Sequence, residues 1–186
     1  MFVVSRYRSY MVKEFFSVAL QHAPDRKWHV DTLLTMVERA PAHVRSLFLC
    51  GLIPAPFYLT FTMGARQVPE DLVPSIVQIL ADSPDYHGYI GQKCYNMLKS
   101  NAHDTALCQI ASWCCGEFGD KIFGGSQIEP QFEGTSTELL DLLNKVLTFP
   151  AATATTRQVA LTAVMKLSSR IPSELGRIRT MIGSYA

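Results

Sequence analysis

Apolar residues recur along this chain at steps of three and four, and strict alternation of apolar and polar positions is nearly absent, so the pattern predicts helices rather than strands. The first helix is expected from Tyr10 to His22, with Met11, Phe15, Val18 and Ala19 on one face. It stops near Ala23–Pro24, because proline disfavours a helical residue before it. Asp25 opens a second helix whose stripe of Trp28, Leu33, Leu34 and Val37 faces inward, with His29, Asp31, Thr35 and Glu38 outward, ending near Ala40–Pro41. Pro69, Glu70 and Asp71 place acids in the first turn of a third helix carrying Val73, Ile76, Val77 and Leu80. Ser83–Pro84–Asp85 ends that helix and starts a fourth, about 85–99, with Tyr86, Tyr89, Ile90, Lys93, Cys94 and Met97.

A fifth helix, about Asp104 to Phe118, sets Leu107, Ile110, Ala111, Cys114 and Phe118 in one stripe, and Gly116 and Gly119 weaken its last turn. Gly124 to Gly134, rich in turn residues and poor in apolar ones, reads as a surface loop. Thr135 and Glu138 then have the spacing of a capping box before the sixth helix, with Leu139, Leu142, Leu143, Val146 and Leu147. The seventh, about Ala154 to Arg170, has Ala160, Ala163, Val164 and Leu167 on one face, where small side chains permit close approach, and Lys166 and Arg170 late, where cations suit the helix dipole. Pro172 fits the first turn of an eighth, whose buried side is Leu175, Ile178, Met181 and Ile182.

Two such helices per unit give a period of roughly 40 residues, that of HEAT and armadillo repeats. The expected fold class is all-α, a HEAT/armadillo-like α-solenoid fragment of paired antiparallel helices spanning 1–186; a closed bundle is the competing arrangement, since no motif is copied from unit to unit. A solenoid buries each pair against the next, so further repeats are expected on both sides.

One block breaks the pattern. Ser46 to Ala65 is an uncharged run of 20 residues between Arg45 and Arg66, long enough to cross a bilayer. Pro54 and Pro56 at its centre and Gly51 and Gly64 near its ends would cost a spanning helix backbone bonds that lipid cannot replace, which favours a buried hydrophobic hairpin or a disordered insertion.

Composition narrows the classes further. Of 186 residues, 48% are hydrophobic and 18% charged, and the formal charge is +1, which argues against a disordered polyelectrolyte and against nucleic acid as a partner. Five cysteines form no disulfide framework, which points to a reducing, intracellular compartment. Arg6, Arg8 and Lys13 precede the first acid, Glu14, as in a mitochondrial transit peptide, but the helical spacing favours an ordinary amphipathic segment.

Candidate chemistry is sparse. His87, Cys94, His103 and Cys108 lack metal-motif spacing; Cys114 and Cys115 point about 100° apart, and Cys108 and Cys115 lie about 10 Å apart along a helix. No local nucleophile signature surrounds any cysteine. Gly116–Asp120 and Gly124–Gly125 match no phosphate loop, Glu117 and Asp120 read as a helix end rather than an acid–base pair, and Arg26–Lys27–Trp28–His29 is a small basic-aromatic corner that suits a phosphate but is more often simply solvated. No catalytic, cofactor-binding or metal-ligating residue is assigned, no cofactor is expected, and the chain does not read as an enzyme.

Three runs carry a resemblance: Arg26–Lys27–Trp28–His29–Val30–Asp31–Thr32, Trp113–Cys114–Cys115–Gly116–Glu117–Phe118–Gly119–Asp120, and Thr156 to Ser168. In this order they resemble the later trunk of the gamma-adaptins, large subunits of the clathrin adaptor complex of the trans-Golgi network and endosomes. The resemblance runs from about Tyr10 to Ala186, except that the family passes directly from the equivalent of Arg45 to that of Glu70, so about 46–68 has no counterpart. That block is expected to be an insertion, with translated intron as its suggested source, and Met1 an internal start. The resemblance implies a scaffold in vesicle-mediated protein transport that packs against beta-adaptin and the medium and small adaptor chains. Clathrin and an Arf-type small GTPase are implied as partners only through regions of the family that have no counterpart here. The implied location is cytoplasmic, peripheral on Golgi and clathrin-coated vesicle membranes. The alternative reading is an independent helical-repeat binding protein with a membrane-inserted hairpin at Ser46 to Ala65.

Overall fold

Several helices begin where a side chain satisfies one of the first free backbone N–H groups. A computed structural model describes residue 14 and residues 16–49, 72–124 and 132–185, and among them every regular element is helical. In chain order these are α1 (16–22), α2 (Arg26–Leu49), α3 (Val73–Ala81), α4 (His87–Ser100), α5 (Thr105–Glu117), α6 (Gly119–Gly124), α7 (Ser136–Thr148), α8 (Ala154–Arg170) and α9 (Leu175–Gly183). Single 3-10 turns, Pro84–Tyr86 and Pro172–Glu174, lead into α4 and α9. Asp104, Thr135 and Thr153 cap α5, α7 and α8 by accepting the N–H three residues on, at 3.1, 3.2 and 3.2 Å. The chain divides into two compact units, Met1–Ile76 and Val77–Ala186.

In the first unit α2 buries His29, Val30, Leu33, Leu34 and Val37. Two expectations are corrected here. Trp28 is 42% exposed and His29 only 3%, the reverse of the predicted stripe. At 100° per residue Trp28 lies half a turn from Val37, whereas His29 lies beside Val30 and Leu33. The helix also passes through Ala40–Pro41 and continues to Leu49. Pro41 lacks an N–H donor and its ring crowds the carbonyl one turn back, yet its fixed φ is helical and the helix continues through it. Phe16 and Ala19 are the buried side chains of α1, while Val18 is exposed. Met11 and Phe15 lie outside the described residues, as do Pro69–Asp71 and the uncharged block beyond Leu49. Among the described residues no helix is long and apolar enough to cross a membrane.

In the second unit α4 and α5 form one hairpin and α7 and α8 another. Side-chain bonds give the register between them. Gln109 meets Thr156 and Glu117 meets Lys166 and Arg170, at similar separations of 47, 49 and 53 residues, so partner numbers rise together along both helices and α5 and α8 run parallel. Ser136 meets Glu174, Asp141 meets Arg177 and Asn144 meets Tyr185, at separations of 38, 36 and 41, so α7 and α9 are parallel too. First helices stack on first helices and second on second, one repeat apart. That is the layering of an α-solenoid; neighbours in an up-and-down bundle would be antiparallel.

Three further expectations are adjusted. A short helix, α6, follows Phe118 where only a helix end was predicted, and it buries Ile122. Phe132, inside the predicted surface loop, is 6% exposed and lies edge-on to Tyr95 at 5.2 Å; residues 125–131 of that loop lie outside the described residues. Of the predicted buried side of α9 only Ile178 is fully buried, with Leu175, Met181 and Ile182 half-buried.

Candidate interaction surface

The side chains with most to do are those of Trp113 to Asp120, where α5 ends and α6 begins against α8. Gly116 sits where any side chain would collide: a Cβ there would fall 2.6 Å from Cα and 2.7 Å from Cβ of Ala163. Gly119 faces the tip of the Leu167 side chain, 2.4 Å from where a Cβ would stand, a contact that the leucine can relieve by shifting. The two glycines therefore do more than end a helix, since they bring the α5–α6 corner onto the small-residue face of α8. Cys114, Cys115 and Phe118 fill the core beneath, at 0, 0 and 3% exposure.

Charge closes the rim of this joint. Glu117 bridges Lys166 and Arg170, the latter at 2.8 Å, and Arg170 also reaches Asp120 at 3.1 Å. The hydrogen bond from Lys166 holds the Glu117 carboxyl below its ordinary range, with the charges of Lys166 and Arg170 adding to it against the cost of partial burial. The Lys166 ammonium also lies over the Trp113 ring, 5.5 Å from its centroid. Trp113, Gln158, Val159, Thr162, Ala163 and Lys166 line an open groove of about 140 Å3 between α5 and α8. One layer further in, Gln109 donates to Thr156 at 3.1 Å, a buried polar tie between the same two helices.

A second joint holds α7 to α4. Thr135 accepts the Glu138 N–H as predicted, but Glu138 does not return the bond of a capping box. Its carboxylate instead accepts from the Tyr95 hydroxyl at 2.5 Å and pairs with Lys99 at 2.7 Å. Tyr95 thus ties α4 to the first turn of α7 through the side chain that a capping box would have turned back on its own helix. Burial first, and then Glu138, push the Tyr95 hydroxyl well above its ordinary value.

The residues singled out for chemistry are dispersed. His87 contacts the Ala81 carbonyl at 2.9 Å and Lys121 at 3.1 Å, stacked on Phe118 at 4.0 Å. His103 is exposed beside Phe149. Cys94 lies near Cys114 and Cys115, all three buried as free thiols, and burial raises Cys114 and Cys115 far above the ordinary thiol value. Burial and Asp104 push Cys108 up to about 12. Buried protonated thiols are poor nucleophiles and poor ligands. Among the described residues no three His, Cys, Asp or Glu side chains are placed to hold a metal ion. The basic corner does not converge either: Asp25 accepts the Trp28 N–H at 2.6 Å, so the free end of α2 already has its anion, and His29 turns inward.

No family model matches the chain. It is 32% identical over 169 residues, 90% of its length, to the human AP-1 complex subunit gamma-like 2. It is 27% identical over 188 residues to the AP-1 complex subunit gamma of Dictyostelium discoideum, covering 97% of the chain, and 23% identical over 180 residues to AP-1 complex subunit gamma-2 of Arabidopsis thaliana, covering 95%. The chain spans 18% of the length of each of these relatives.

Proposed function

Because this chain is a gamma-adaptin-like segment over about nine-tenths of its length, we propose that it acts as a scaffold in the trunk of a clathrin-adaptor large subunit, serving vesicle-mediated protein transport between the trans-Golgi network and endosomes. Its work is mechanical. Stacked helix pairs hold a fixed curvature, and surfaces along the stack pack against beta-adaptin and the medium and small chains. Clathrin and an Arf-type GTPase engage the assembled complex, which sits peripherally on the membrane. No catalysis and no cofactor belong to this role.

The observation that carries the reading is the use made of Trp113–Asp120. Much of that run serves packing between helices: Gly116 allows the close approach of α8, Glu117 and Asp120 form ion pairs to α8, and Phe118 enters the core. A run with this purpose suits a scaffold. We also place 1–186 within one trunk solenoid interrupted by an insertion at about 46–68, with α2 running into its first residues as far as Leu49.

Affinity purification of the endogenous protein, with peptide mapping of the bait, tests the proposal. Recovery of beta, medium and small adaptins together is the expected result. Their absence, with peptides from Leu47 to Met63 in a carbonate-resistant membrane fraction, would overturn it in favour of a membrane-inserted protein.

A further inference from the structure

We draw no further inference here: the strongest candidate, the open groove between α5 and α8 floored by Trp113 and Ala163 and rimmed by Lys166, carries nothing because Glu117 already pairs with its one cation and nothing in the structure shows what covers it.

Discussion

Gly116 is the position where one atom decides most. Replacing it by alanine improves helix propensity by about 1 kcal/mol, yet the new methyl meets the Ala163 backbone, which cannot rotate away as a side chain would. Gly116→Ala is expected to destabilise the protein by about 1–3 kcal/mol in urea denaturation, whereas Gly124→Ala, which meets nothing within 4 Å, changes stability little. A stabilised Gly116→Ala would mean that α5 and α8 do not approach this closely. His29 is the other decisive residue. It is buried with Nε2 unpartnered, and burial, then Arg26, hold its pKa below the ordinary 6.5. The folded state therefore binds fewer protons than the unfolded one below pH 6.5, and stability must fall as the solution is acidified through that value. Denaturation at pH 7.5 and about 5.5 should reveal the loss. His29→Phe should flatten the part of the slope that this histidine causes; an unchanged slope would show that His29 does not cause it.

Among the elements, α7 depends on a bond that no local rule supplies. Tyr95→Phe keeps the ring against Phe132 but removes the hydroxyl that donates to Glu138, leaving that carboxylate with Lys99 as its side-chain partner. A small loss of stability is expected, because the pair is only partly buried and Lys99 still holds Glu138. Faster amide exchange in the first turn of α7 should accompany it, and exchange confined to α4 would contradict the assignment. The element boundaries were largely legible from the chain. The predicted bounds of α8 are those observed, Asp104 and Thr135 cap the helices they were expected to start, and Pro172 opens the 3-10 turn that leads into α9. What a local reading missed came from distant partners. Phe132 is buried because Tyr95 and Phe123 wait for it, and α6 forms because Gly91 of α4 leaves room for Ile122.

On the scale of the second unit, stability is set by joints between repeats as much as by the repeats themselves. Glu117→Gln weakens the ties to both Lys166 and Arg170 at once. Because all three side chains are about a third exposed, the expected cost is modest, about 1 kcal/mol. The same increment should be lost from the unmodified protein in acid. A carboxyl held below its ordinary 4.5 contributes stability that is present above that value and disappears as pH falls through the lower folded value. Hydrogen exchange should show α5 and α8 losing protection together; loss in one helix alone would mean that the ion pairs do not couple the pairs of helices.

The chain by itself determined that this protein is helical, where most helices start, the spacing of roughly 40 residues between units, and the resemblance to gamma-adaptins. These follow from local periodicity, capping chemistry and order along the sequence, which need no distant partner. Only the tertiary structure decided that α5 lies parallel on α8 and α7 on α9, that Gly116 and Gly119 are points of close approach, and that Glu117 bridges the repeats while Glu138 turns to Tyr95. Each of these joins residues 36 to 53 apart. Hydrophobic burial and charge pairing choose such partners by proximity in space, and a sequence read in windows of one helix carries no record of which distant side chain will be near.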